Sequence, residues 1–400
     1  MNLRLKAKKI SVRITSLLLA AWLVVVVSFT ACTLSITGKG LHPAYSVMKE
    51  ASLLAERAMS AVKEYRLTNG KGISPYDKLQ TGMIGDGEQS VITTTDGHLD
   101  AKRTSCDPNW AAVIVGMFKK ARLVANDEIV MVFSGSFPAM NICALAAAQA
   151  YGLKQCVMSS VGASYYGATD PDFTFFDMAE YLCNEGILTH RIDYVSFGGN
   201  NDIGDDFQDE IEFSDGTRTA EEVRVRIRTA VENSETATFI YERDFVKNID
   251  LRLEYIREKT PDVKFLLNVG GSLIGLGKGV EAYLDSGYSS PSRFGFLRSD
   301  PQGKRNENYG LLQYFHSVGV PVASMLNLKG LAATYGIPFD PDEKSIAGEG
   351  ETYYVKQYSS VFPVIALVFS AAAGVAYYVF KKREKPQADD RNYVLRRRFL

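Results

Sequence analysis

The sequence predicts an α/β fold: a three-layer domain on a mostly parallel, doubly wound (Rossmann-like) sheet, flanked by an N-terminal and a C-terminal transmembrane helix. Three observations predict it. From about residue 127 to residue 327, short apolar runs bounded by turn residues alternate with segments of helical periodicity. One strand, loop, helix and second strand fit within about thirty residues, the span of a βαβ unit, which makes those strands parallel. Two uncharged segments, Ile14 to Gly38 and Gln357 to Phe380, lie near the ends.

Taken in chain order, residues 1–13 form a cytoplasmic N-terminus with Arg4, Lys6, Lys8, Lys9 and Arg13. Residues 14–33 are a transmembrane helix or signal anchor, with "LLLAAWLVVVVSF" at its heart. Residues 361–380, "VFPVIALVFSAAAGVAYYVF", are the second span, and residues 381–400 are a basic cytoplasmic tail ending in Arg396, Arg397 and Arg398. Each segment is long enough to cross about 30 Å of hydrocarbon as a helix rising about 1.5 Å per residue. Positive flanks stay on the cytoplasmic side, so both termini are expected inside and residues 39–356 outside the cytoplasm. The expected location is the cell membrane, with two passes. A cleaved signal peptide is the competing reading of the first segment. "SFTAC", ending at Cys32, loosely resembles a lipoprotein cleavage site, with Phe29 where such sites usually have leucine.

Within residues 39–356, "HPAYSVMKEASLLAERAMSAVKEYRL" places Ala51, Leu54, Ala58, Ala61 and Val62 at helical spacing. The first half of "QSVITTTDGHLDAKRTSCDPNW" reads as a strand or extended loop. Asp107 and Pro108 read as an N-cap and first helical residue for the buried helix "NWAAVIVGMFKKARL". Then come the strand "DEIVMVF", the helix "AMNICALAAAQAY" closed by Gly152, and the strand "KQCVMSS". The helix "FTFFDMAEYLCNEG" and the strand "IDYVSF" lead to the loop "GGNNDIGDDF". A capping box at Thr219 and Glu222 opens "AEEVRVRIRTAVEN". "ATFIYE", "NIDLRLEYIREK" and "VKFLLNV" read as strand, helix and strand, the last running into "GGSLIGLGKG". "YGLLQYFHSVG" and "VPVASMLN" add a helix and a strand.

Thirteen of the 45 Lys+Arg but only three of the 46 Asp+Glu lie in residues 1–13 and 381–400, so the middle is acidic by about 11 charges. Such a domain is no general trap for nucleic acid or another polyanion; a partner of that kind needs a local site. The five cysteines match no zinc spacing, and Cys106, Cys143, Cys156 and Cys183 read as buried small hydrophobes. No cofactor motif is present.

In open parallel sheets ligands bind where loops leave the carboxyl ends of strands. Those loops, Ser134–Phe137, Ser159–Thr169, Gly198–Asp205 and Gly270–Gly279, are rich in glycine and small hydroxyls. Ser134, Gly135, Ser136, Ser160, Gly162 and Ser164 are therefore candidates for cradling an anion or carboxylate, and tight turns use the same residues. Lys102 and Arg103, followed by Thr104 and Ser105, form a second candidate, a local anion pocket ahead of the helix near Pro108. Ser136 lacks the glycines of a nucleophile elbow, and a triad would need His98, His190 or His316. "GGSLIGLGKG" lacks both anchors of a phosphate loop. "NNDIGDD" offers Asp202 and Asp205 as weak candidates for a hard cation, and no metal is expected.

"ITTTDGHLDAKRTS", "SGSFPAMNICALAA", "SSVGASYYGATDPDFTFFDM", "GGNNDIG" and "NVGGSLIGLGKG" resemble the membrane-associated poly-gamma-glutamate system protein family over roughly residues 40 to 345. The resemblance implies a component of poly-γ-glutamate synthesis or export, with synthase or exporter membrane subunits, and the polymer itself, as partners. It assigns no catalytic residue. Two functions follow as expectations. One is a non-catalytic membrane-anchored component that binds glutamyl carboxylates or docks through the small-residue stripe Ser370, Ala371, Ala372, Ala373 and Gly374. The other is an extracytoplasmic hydrolase or transferase acting on the γ-glutamyl polymer.

Overall fold

The computed structural model describes residues 37–208, 211–213, 216–279, 286–290 and 307–358, with scattered positions between 19 and 30 and between 368 and 379. The chain divides into two units, Met1–Leu41 with Tyr354–Leu400, and His42–Tyr353. In the first unit, β1 (Thr37–Leu41) pairs antiparallel with the last strand, Tyr354–Tyr358 (β13). The expected spans 14–33 and 361–380 lie mostly outside the described residues, as do the basic flanks. Their described positions are helical, and Leu23, Val25, Phe369 and Tyr378 expose their side chains. Among the described residues no helix is long and apolar enough to cross a membrane.

The second unit opens with α1 (Tyr45–Thr68), β2 (Thr93–Thr95), α2 (Leu99–Ser105), α3 (Trp110–Lys120), β3 (Glu128–Ser134), α4 (Pro138–Tyr151) and β4 (Lys154–Ser160). It continues with β5 (Ala163–Ser164), α5 (Phe175–Asn184), β6 (Tyr194–Ser196), β7 (Ile211–Phe213), β8 (Gly216–Arg218), α6 (Ala220–Glu232) and β9 (Thr238–Phe239). Then follow α7 (Phe245–Lys259), β10 (Val263–Val269), α8 (Leu273–Leu276), β11 (Gly287–Ser289), α9 (Leu311–Ser317), β12 (Val322–Met325) and α10 (Leu328–Tyr335).

Among the described residues, seven strands form the main sheet in the order β11-β12-β10-β3-β4-β6-β9. Every neighbouring pair is parallel except β11 with β12. The chain starts at β3, winds outward through β4, β6 and β9, and returns to the other side of β3 as β10. The winding direction therefore reverses between β3 and β10, the place where an open sheet leaves a crevice at its carboxyl edge.

Alternation along the strands divides the core between two faces, because successive side chains of a strand point to opposite sides. Ile129, Met131, Phe133, Phe265, Leu267 and Val269 join one cluster with α1, α3, α4, α5, α6 and α10. Val130, Val132, Cys156, Met158, Leu266 and Val322 join the other with α7, α8 and α9. Helices thus cover both faces, as expected. Burying each large side chain of the central strand β3 contributes about 1.5–3 kcal/mol, which makes this strand a firm base for the loop at its carboxyl end.

Local chemistry sets the helix limits. Pro138 presets φ in the first turn of α4, and Gly152 at φ +74° closes the helix in the left-handed region. Residues 138–148 of α4 are buried all round, which fits a helix packed against α1 and α3 as well as the sheet. The Thr219–Glu222 capping box forms as expected, and a second one joins Thr174 and Asp177 at the start of α5.

Two local expectations are corrected. Lys102 to Ser105, expected as a pocket ahead of the helix near Pro108, belong to a helix of their own, α2; Asp100 in its first turn and Lys102 and Arg103 in its last match the helix dipole. The following helix starts at Trp110, because the Asp107 carboxylate accepts the Asn109 N–H at 2.9 Å and closes a separate turn first.

Candidate functional site

The carboxyl edge of the sheet is lined by hydroxyls in register. Ser134, Ser160 and Ser196 are paired neighbours across β3, β4 and β6. The Ser160 hydroxyl donates to the Phe133 carbonyl at 3.3 Å, and Ser196 donates to the Asp202 carboxylate at 2.7 Å. Ser134 Oγ is buried with no hydrogen-bond partner among the described residues. Two carboxamides lie near the same switch point. Asn141 donates to the Ser134 carbonyl at 2.9 Å and Asn268 donates to the Gly270 carbonyl at 2.8 Å, and among the described residues neither Oδ1 has a partner. Gly270, at φ +82°, fits against this edge only without a side chain: a Cβ there would lie 2.3 Å from Ser134 Oγ.

Lys102 occupies the centre of the neighbouring loop cluster. It is 2% exposed, although lysine is almost never fully buried without a partner. Its Nζ donates to Ser164 Oγ at 2.6 Å and to the Ser136 carbonyl oxygen, and lies 4.2 Å from the centre of the Phe137 ring. No carboxylate pairs with it among the described residues. Burial pushes its pKa down to about 7, since desolvation disfavours the ammonium. The Ser164 N–H donates to Ser136 Oγ at 3.0 Å, tying the loop after β4 to the loop after β3. Gly135 permits that approach, because a Cβ on it would lie 2.4 Å from the Val161 carbonyl oxygen.

The fold thus brings Lys102, Ser136 and Ser164 together, with Ser134, Gly135 and Ser160 along the same edge. It separates Lys102 from Arg103, since adjacent helical residues point about 100° apart. Arg103 donates to the Tyr76 carbonyl at 2.8 Å and lies 3.7 Å from Asp340. Thr104 and Ser105 serve local structure: the Thr104 hydroxyl donates to the Asp100 carbonyl and accepts the Asp340 N–H, while Ser105 donates to the Lys102 carbonyl. The Gly162 N–H donates to the Phe197 carbonyl at 2.7 Å.

Asp202 is buried and held by Arg252 at 2.6 Å, with Ser196 and Asn248 donating to the same carboxylate. Burial raises its pKa, while the Arg252 charge and the hydrogen bonds oppose that rise. Asp205 accepts from Asn201. Among the described residues no group of three or more His, Cys, Asp or Glu is placed to hold a metal ion. His190 contacts Asp193 at 2.9 Å and His316 contacts Ser289 at 3.1 Å, so neither completes a triad with Ser134 or Ser136. Lys278, in the glycine-rich loop after β10, donates to Asn201 and Glu307.

The open concavity lies farther along the loop that follows Ser164. A cleft of about 370 Å³ runs between residues 82–90 and 167–172. Its cations are already engaged: Lys71 with Asp170 at 2.8 Å, Arg218 with Asp172 at 2.6 Å, and Arg66 with the Gly72 carbonyl. Sequence reasoning missed Asn141 and Asn268, and the signal that could have found them is plain. Each is a single amide inside an otherwise apolar run, "AMNICALAAA" and "FLLNV". The chain matches no family model, no curated protein and no solved structure.

Proposed function

We propose that this chain is a membrane-anchored accessory component of poly-γ-glutamate synthesis or export, whose α/β domain holds a small carboxylate-bearing ligand at the carboxyl edge of its sheet. The observation that carries the reading is where the family-like stretches fall. "ITTTDGHLDAKRTS" contains the helix bearing Lys102, and "SGSFPAMNICALAA", "SSVGASYYGATDPDFTFFDM", "GGNNDIG" and "NVGGSLIGLGKG" supply the loops that leave β3, β4, β6 and β10. Five separate stretches of sequence meet at one edge of one sheet.

When protonated, Lys102 offers one positive charge, and among the described residues two acceptors take up its three N–H groups. That suits a single carboxylate, and it does not suit a polyphosphate. Anchoring rests on the uncharged segments 14–33 and 361–380, on their basic flanks, and on the exposed apolar side chains at their described positions. The polymer-forming membrane subunits are the expected partners.

The test is deletion and complementation in a polymer-producing strain. Loss of the chain should lower secreted polymer, and the full chain should restore it. Versions lacking residues 14–33 or 361–380 should not. Unchanged polymer yield and chain length in the deletion strain overturn the proposal.

A further inference from the structure

We propose that Ser164 and Lys102 form an acyl-transfer centre, Ser164 as nucleophile and Lys102 as its general base, acting on an amide or ester of a carboxylic acid. A serine hydroxyl is a weak nucleophile until a base lies within hydrogen-bond reach, and Lys102 Nζ is 2.6 Å from Ser164 Oγ. A lysine serves as that base only when its amine can lose its proton near neutral pH. Three features of the site favour this. The side chain is buried, no carboxylate among the described residues holds it in the charged form, and its pKa is pushed down to about 7. The Ser136 carbonyl accepts one N–H and so orients the amine. The Ser136 hydroxyl fixes the Ser164 backbone. Ser164 keeps 7% of its surface exposed, and the loop that continues from it forms one wall of the 370 Å³ cleft.

The reaction balances with water as the only co-reactant. Ser164 Oγ attacks the acyl carbon while its proton passes to the neutral Lys102 amine, and the carbonyl π electrons move onto oxygen. When that oxyanion collapses, the bond to the leaving amine or alkoxide breaks, and Lys102 returns the proton to the leaving group. The acyl group is now an ester of Ser164. Water then gives a proton to Lys102 and attacks the ester. Collapse breaks the bond to Ser164 Oγ, which recovers the proton as the carboxylic acid departs. An acceptor amine in place of water gives transfer instead of hydrolysis.

The experiment uses the purified full chain in detergent and the p-nitrophenyl ester of the γ-carboxyl of glutamate. Acylation is read by mass spectrometry of the peptide containing Ser164. The acyl group should appear on Ser164, and Ser164→Ala should abolish it. Lys102→Met should slow it by about 100-fold or more, the usual contribution of a positioned base. Lys102→Arg should give no rescue, because a guanidinium does not deprotonate. The rate for the unaltered chain should rise with pH through about 7, and that rise should vanish in Lys102→Met. Ser164→Cys, which retains a nucleophile of similar size, should give a thioester even if Ser164→Ala folds poorly.

Acyl groups on other residues only, or a rate indifferent to Lys102→Met, overturn the proposal and leave Lys102 as a clamp between two loops. The centre does not depend on the pathway. Normal acylation in vitro with unchanged polymer in the deletion strain would sink the proposed function and spare the dyad.

Discussion

Among the described residues, two cations, Arg252 and Lys102, are buried at the carboxyl edge of the sheet, and the chain treats them in opposite ways. Arg252 on α7 meets the Asp202 carboxylate at 2.6 Å, and Ser196 and Asn248 donate to that same carboxylate. Lys102 on α2 meets a carbonyl, a hydroxyl and an aromatic ring, and no acid among the described residues. The Asp202 counter-charge opposes the desolvation that lowers the Arg252 pKa, and a guanidinium keeps its proton in any case, so this cation is part of the scaffold. An amine without a counter-charge is left poised between protonation states. The contrast identifies which buried cation is available for chemistry.

Breaking the paired site should have the largest effect. Arg252→Met strands the Asp202 carboxylate in the interior, which costs about 3–5 kcal/mol for a pair of this kind. Urea unfolding of the purified chain measures it. Adding Asp202→Asn should recover most of the loss. Asparagine can keep a hydrogen bond from Ser196, and it tolerates the left-handed backbone at φ +65°. A double variant as unstable as the single one would mean that the guanidinium matters for packing and not for charge.

The unpaired site should answer to pH. The folded pKa of Lys102, about 7, lies below its ordinary 10.5, so between those values the unfolded chain binds the extra proton. Stability therefore rises with pH through that window, and the penalty of the buried amine is fully present below about pH 7. Lys102→Met removes the titrating amine. Between pH 7 and pH 9 the unfolding free energy of the unaltered chain should gain roughly 2 kcal/mol on the variant. Urea titrations of both proteins at the two pH values give the difference, other titrating groups cancelling between them. A difference that does not change with pH would mean that Lys102 stays charged, and the contrast with Arg252 would be lost.

The frame of this contrast was legible in the sequence, and the contrast itself was not. An apolar run ending at Ser134, a proline at 138 and a glycine at 152 suffice to place β3, α4 and β4, because each limit is set by a residue whose backbone preference acts locally. The parallel sheet follows from the same alternation. What binds Lys102 is a hydroxyl 62 positions away, and no local rule reports the direction of a side chain across two loops. The helix α2 has seven residues, too few to complete a periodic signal, so Lys102 and Arg103 read as one pocket ahead of the next helix. Likewise β11 is a three-residue antiparallel edge strand, shorter than any alternation that marks a strand from sequence. The Arg252–Asp202 pair was hidden for the same reason as the Lys102–Ser164 pair, being 50 positions apart.

The smallest predicted effect sharpens the contrast most. Phe137 favours the ammonium electrostatically without hydrogen-bonding to it, since the ring face attracts a cation 4.2 Å away. Phe137→Leu keeps the amine dry and withdraws that attraction, which is worth about 0.5–2 kcal/mol. Its direction is fixed: the charged form loses stabilisation, so the pKa must fall below about 7. Nuclear magnetic resonance of lysine labelled at Cε should record the midpoint moving to lower pH, and acylation of Ser164 should persist at a lower pH than in the unaltered chain. A ring acting only as packing around the lysine stem predicts the opposite. Leucine fills the space less well, water reaches the amine, and the pKa rises toward 10.5. The sign of one titration shift thus decides whether Phe137 tunes the base or merely shields it.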